Sequence, residues 1–141
     1  PKLKNCSFKW NYGADGGAFY NSNHHTFSSP AFYNCSFLGN FAFSDGGGVY
    51  NAHGTTSTFT NCSFSGNHSQ DRGGAIQSAI STTLSFTNCE FLRNYARRDG
   101  GAIQLNGKTT STFTNCSFQG NRSFSRGGAV FFDNFFFLSS G

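Results

Sequence analysis

Cysteine, carboxylate and histidine side chains can bind a metal or move a proton, and this sequence holds five Cys, six Asp or Glu and four His in 141 residues. Their spacing decides what they can do. Cys6, Cys35, Cys62, Cys89 and Cys116 recur at steps of 29, 27, 27 and 27 residues, each directly behind an Asn. No Cys-x-x-Cys pair occurs, so the local chelate common in structural zinc sites is missing. One thiol per repeat at one register reads instead as a column of small buried side chains. Neighbouring copies would fall within disulfide reach, but side chains that all point the same way favour free thiols. The residue before each Gly-Gly pair runs Asp15, Asp45, Arg72, Asp99, Arg126. Glycosidic cleavage needs two carboxylates converging on one bond, whereas these acids fall in different repeats beside Arg. The expectation is an exposed ionic ladder, with Asp71 and Arg98 repeating it one position earlier, and Glu90 stands alone in its register. His24, His25, His53 and His68 share no register and read as solvated loop residues.

The elements that hold these residues follow from the repeat itself. Each Asn-Cys opens a Cys-x-Phe-x-x-Asn block ending at Asn11, Asn40, Asn67, Asn94 or Asn121, and a Gly-Gly pair follows at Gly16, Gly46, Gly73, Gly100 and Gly127. A small and then an apolar residue come next, as in Gly73-Gly74-Ala75-Ile76. Helical repeats would need good helix formers at a 3.6-residue period, and Phe, Thr, Ser, Asn and Gly dominate here. Thr56-Ser57-Thr58-Phe59-Thr60 alternates with period two, the mark of a half-buried strand. The fold expected is all-β: a right-handed single-stranded parallel β-helix of about five coils, with three short strands per coil near Gly73–Ser78, Thr56–Thr60 and Cys62–Ser65. Residues 1–141 form one repeat domain. No polar capping repeat is visible, so the domain reads as a segment of a longer array, or as a fibre subunit whose ends stack on other chains.

Stacking at about 4.8 Å per coil sets each repeated residue against its own copies. Phe8, Phe37, Phe64, Phe91 and Phe118 should form one interior aromatic column, and Phe32, Phe59, Phe86 and Phe113 a second. Asn34, Asn61, Asn88 and Asn115 can adopt the left-handed backbone of a sharp bend and hydrogen-bond along the axis. Glycosylation signals recur at Asn5, Asn34, Asn61 and Asn115, which the bends should bury, and at Asn67 and Asn121, which should sit at a turn edge with room for a glycan. Outside, Thr56, Thr58 and Thr60 stand over Thr83, Ser85 and Thr87 and then over Thr110, Thr112 and Thr114. Such a flat hydroxyl grid is what ice-binding β-solenoids present. The preceding coil has Ser29, Ala31 and Tyr33 there, which limits the grid to three coils.

Composition excludes several classes. Aromatics make up 18% and charged residues only 11%, the opposite of a disordered chain. The net charge of +4 is spread over different coils and is no nucleic-acid footprint. No apolar run approaches the roughly 20 residues of a membrane helix, so this segment is not expected to insert in a bilayer. Nothing at Pro1–Lys4 has the pattern of a secretion signal. No helix follows the Gly pairs to make a phosphate loop, and no cofactor, metal or catalytic constellation is expected.

Phe64-Ser65-Gly66-Asn67 with Gly73-Gly74-Ala75-Ile76, and Phe91-Leu92-Arg93-Asn94 with Gly100-Gly101-Ala102-Ile103, resemble the paired Phe-x-x-Asn and Gly-Gly-Ala-Ile signatures of the chlamydial polymorphic membrane protein family. Phe118–Val130 repeats the match, and the first two coils fit more loosely. The resemblance implies an autotransporter-like passenger, extracellular or displayed on a cell surface, that acts in adhesion to a host-cell or glycan ligand. Non-enzymatic adhesion is the leading functional expectation. Ice binding and end-to-end fibre assembly are the alternatives.

Overall fold

A computed structural model describes residues 1–22 and 28–133. Every element among them is a short strand, and the strands build four parallel sheets of five strands each. The first sheet takes Lys2–Lys4, Ala31–Tyr33, Thr56–Thr60, Thr83–Thr87 and Thr110–Thr114. The second takes Ser7–Lys9, Ser36–Leu38, Ser63–Ser65, Glu90–Leu92 and Ser117–Gln119. Tyr12–Gly13, Phe41–Ala42, His68–Ser69, Tyr95–Ala96 and Arg122–Ser123 make the third. Phe19–Asn21, Val49–Asn51, Ile76–Ser78, Ile103–Asn106 and Val130–Asp133 make the fourth. The chain visits the four sheets in turn and returns to the first after about 27 residues, so the solenoid of five coils is the one expected. Each coil carries four strands, however, not three. The additional strand is two residues long, too short for a period-two pattern to register in the sequence.

The corners explain the repeated Asn and Gly. Asn5, Asn34, Asn61, Asn88 and Asn115 turn the chain between the first and second sheets with φ of 56°, 53°, 54°, 53° and 54°. Asn tolerates this left-handed conformation better than most residues with a Cβ. The two glycines of each Gly-Gly pair serve different ends. Gly73 has a φ of 64°, whereas a Cβ on Gly74 would collide with the carbonyl oxygen of Gly101 in the next coil. The first glycine permits the turn and the second permits the coils to approach.

Inside, the register is strict: Phe64 pairs with Phe37 on one side and Phe91 on the other. Rings in the column from Phe8 to Phe118 stack at 4.7, 4.7, 4.8 and 4.7 Å between centroids, tilted by 7° at most. Phe32, Phe59, Phe86 and Phe113 stack at 4.9, 5.1 and 5.0 Å. The two columns meet edge to face, as Phe59 and Phe64 do at 5.4 Å and 71°. Each central ring therefore gains stacked and T-shaped contacts together, both favoured by the ring quadrupole. Val49, Ile76 and Ile103 from the fourth sheet close the core.

Removing one ring from the middle of a column leaves a hole that coils fixed by their backbone ladders cannot close. Phe64→Ala should cost about 3–5 kcal/mol of folding free energy. Phe113→Ala should cost distinctly less, because Phe113 is 36% exposed. Denaturant unfolding of both variants gives the comparison, and equal losses would contradict a continuous core.

Candidate functional site

The structure brings the five cysteines together in one column. Cys35, Cys62 and Cys89 are buried, Cys6 and Cys116 are half-buried, and all five are free thiols. Each Sγ donates to the carbonyl two residues before it, at 3.3 Å for Cys62 to Thr60 and 3.4 Å for Cys89 to Thr87. A hydrogen bond shared with Cys89, and then burial, push the Cys62 thiol far above its ordinary range. The same shared bond draws the Cys89 thiol down to about 7, so it is burial, at 2% exposure for both, that makes these thiols packing groups. Among the described residues no cluster of three or more His, Cys, Asp or Glu side chains could hold a metal ion.

The acidic column before the Gly-Gly pairs is more deeply set than an exposed ladder. Asp99 is only 2% exposed, which corrects that expectation. It can lie there because the Arg126 guanidinium grips both its oxygens, Nε to Oδ1 at 3.1 Å and Nη2 to Oδ2 at 3.0 Å. A buried carboxylate needs such a paired donor. Arg98 lies 3.7 Å from Asp99 and 3.6 Å from Asp71, which brings together the Asp71–Arg98 pair read from the sequence. In the first coils the acids use backbone donors. Asp15 Oδ1 accepts the Asp45 N–H at 3.1 Å, and Asp45 Oδ1 accepts the Arg72 N–H at 3.0 Å. Desolvation, with the neighbouring Asp71 charge behind it, raises the Asp45 carboxyl from 3.8 to about 6.

Two asparagine ladders run along the axis. Asn34, Asn61, Asn88 and Asn115 stand exposed on the outside of their bends. There Asn88 Nδ2 donates to Asn61 Oδ1 at 3.1 Å and Asn115 Nδ2 to Asn88 Oδ1 at 2.7 Å. The expectation that the bends bury them is wrong. A positive φ swings the side chain away from the core while the next residue, Cys, turns in. The second ladder, expected at turn edges, is buried in its middle coils, with Asn67 0% exposed, and Asn121 is half-buried. Asn67 Nδ2 donates to Asn94 Oδ1 at 2.9 Å and to Phe37 O at 3.0 Å, so a glycan has no room there.

The hydroxyl grid is in register as read: Thr56, Thr83 and Thr110 are partners, as are Thr58, Ser85 and Thr112, and Thr60, Thr87 and Thr114. Thr56, Thr58 and Thr60 are half-buried, and exposure rises toward Thr110, Thr112 and Thr114. Ala31 and Tyr33 take the corresponding places in the preceding coil. His53 is exposed, and His24 and His25 lie outside the described residues. His68 is no loop residue. It lies in a strand of the third sheet, its ring 5.1 Å from Phe41 and 4.9 Å from Tyr95, and burial lowers its pKa.

That contact reveals an outer column the sequence reading missed. Tyr12, Phe41, His68, Tyr95 and Arg122 are paired in register on the outward face of the third sheet. Tyr12 lies 5.8 Å from Phe41, and the Arg122 guanidinium sits 6.0 Å from the centre of the Tyr95 ring. Beside it Trp10, Phe43 and Phe124 are exposed by 67%, 65% and 84%. Between Tyr95 and Arg122 of this column and the Arg93 corner, an open groove of about 370 Å³ is lined by Arg93, Asn94, Tyr95, Gly120 and Arg122. The available signal was the position just after each block-ending Asn, aromatic in four of five coils if His is counted.

The family described as the right-handed beta helix region matches residues 1–140. Neither the curated proteins nor the solved structures gave a match.

Because the native state holds Asp45 with a raised pKa, it binds that proton more tightly than the unfolded chain does. The stability tied to it is complete below about pH 4 and is lost as pH rises through about 6. Asp45→Asn keeps the acceptor for the Arg72 N–H and removes the desolvated charge. It should raise the thermal midpoint by about 2–4 °C at pH 7.5 and leave it unchanged at pH 4. Melting curves at the two pH values test this, and an equal shift at both would exclude the charge as the cause.

Proposed function

Because this chain belongs to the right-handed β-helix family, we propose that it is a non-enzymatic scaffold, extracellular or cell-surface displayed, whose outer faces act in adhesion to a host-cell or glycan ligand. One observation carries the reading. The carboxylates of the acidic column are committed along the axis, to Arg in the case of Asp99 and to backbone N–H groups in the cases of Asp15 and Asp45. General acid–base work needs a carboxyl that faces its substrate, and these face the next coil. The inner repeat positions hold the coils together, which leaves recognition to side chains on the outside. The Phe-x-x-Asn and Gly-Gly-Ala-Ile resemblance supports surface display in the manner of an autotransporter passenger.

Retention of the purified chain on cultured cells or immobilised glycans, with no shortening of any polysaccharide it is incubated with, is the expected result. Release of oligosaccharides would refute the non-enzymatic reading.

A second reading rests on the hydroxyl grid. Its three coils are in exact strand register, with neighbours about 4.8 Å apart between coils and about 6.7 Å along a strand. On that reading the chain shows thermal hysteresis and Thr83→Tyr, at the centre of one edge, abolishes it. An unmutated chain without hysteresis ends the idea.

A further inference from the structure

We propose that the groove between Arg93 and Arg122 is the site where the scaffold seats the acidic group of a glycan, a carboxylate or a sulfate ester, with the adjoining sugar ring against Tyr95. This rests on the adhesive reading above and gives it an address. The first argument is charge. Arg72, Arg98 and Arg126 form the ion pairs among the described residues, while Arg93 and Arg122 border the groove with no described carboxylate beside them. Guanidinium groups present planar forks of donors that match carboxylate and sulfate oxygens.

The second argument is the backbone at Arg93. Its φ is 53°, and the same corner of the neighbouring coils is held by Gly39, Gly66 and Gly120, also at positive φ. Glycine meets the structural need at this corner without strain, so the fold gains nothing by holding Arg there. Trp10 takes the corner in the first coil and extends over Gly39, just as Arg93 extends over Gly120. A side chain placed here is projected over the glycine of the next coil toward the third sheet.

The third argument is preorganisation. The Arg93 N–H donates to Gln119 O and the Arg122 N–H to Asn94 O, both at 2.9 Å. Asn94, in the groove lining, has its amide fixed to Phe64 O at 3.0 Å and Asn121 Oδ1 at 2.9 Å. The ladders thus hold still the backbone beneath both cations, so that binding has only their side chains left to order.

The occupant is a glycan and not a nucleic acid for two reasons. A single strand needs a cationic track along its whole backbone and parallel aromatic faces for successive bases. Among the described residues this column carries one cation, Arg122, and the rings tilt by 52°, 69° and 86° from one to the next. One acidic sugar followed by neutral sugars lying along the remaining aromatic column fits that distribution.

Calorimetric titration of the chain with a uronic-acid hexasaccharide, a sulfated hexasaccharide, a neutral hexasaccharide and a single-stranded oligonucleotide tests the site. At least one acidic hexasaccharide should bind tenfold or more tightly than the neutral one, and which of the two does so identifies the acid. Arg93→Gln, which keeps the aliphatic stem over Gly120, and Arg122→Gln should each reduce acidic binding about tenfold or more. Arg93→Gly, which installs the residue of the neighbouring coils, should do the same with an unfolding midpoint no lower than the parent's. Equal binding of acidic and neutral sugars, tighter binding of the oligonucleotide, or unchanged affinity in the Arg93 variants would each overturn the site. Cell adhesion that persists in Arg93→Gln overturns the groove and leaves the adhesive reading standing, whereas a chain that binds neither cells nor any glycan overturns both.

Discussion

Because each coil rises about 4.8 Å over the last, a side chain in this fold has its own copy as its nearest neighbour, above and below. A position can be repeated only if its residue attracts itself. Phenylalanine does so by stacking, as Phe37, Phe64 and Phe91 show at 4.7 and 4.8 Å. Asparagine does so because an amide is donor at one end and acceptor at the other. The glutamines of the fourth sheet follow the same logic, with Gln77 Nε2 donating to Gln104 Oε1 at 3.0 Å. A charge does not attract itself. Charged columns therefore alternate in sign, as Arg72, Asp99 and Arg126 do, or interpose a backbone N–H, as Asp15 and Asp45 do. Burial first, and then the neighbouring Asp71 charge, raise the Asp45 carboxyl, and the Arg72 N–H only partly offsets them.

The two asparagine ladders differ in direction as well as in burial. In the exposed ladder Nδ2 donates toward the preceding coil, and in the buried one toward the following coil. The buried ladder also ties its amides to core carbonyls such as Phe37 O and Phe64 O. Those carbonyls belong to the strands of the second sheet that carry the Phe column, so the polar ladder holds the apolar one in register. Burying these amides is tolerated because their polar atoms are satisfied within the ladder.

Self-attraction is also what made the fold legible in the sequence. Columns of identical residues declare themselves, and the Phe, Cys and Asn columns were all visible as a spacing of 27, or 29 at the first step. What did not repeat stayed hidden. The two-residue strand at His68–Ser69 is bounded by no pattern of its own, and Tyr12, Phe41, His68, Tyr95 and Arg122 differ enough in type to pass for unrelated loop residues. The burial of the two Asn columns was inverted for a different reason. Residue type cannot tell on which side of a corner a side chain emerges. The sign of φ decides that, and both corners use the left-handed region, with Asn61 at 54° in one and Gly66 at 62° in the other.

It follows that function in such a solenoid should be sought where the repeat is broken on an outward position, because inward breaks are suppressed by the self-stacking requirement. The second corner shows the rule at work. Gly39, Gly66 and Gly120 take the left-handed backbone there without a side chain, whereas Arg93, like Trp10 in the first coil, carries one through it. The departure projects a cation over Gly120, next to the one coil in which the outer aromatic column becomes Arg122. Two independent departures from the repeat, in adjacent coils and on one face, thus converge on the same groove. The repeat demands neither of them, and the ladders beneath give both a fixed place to stand.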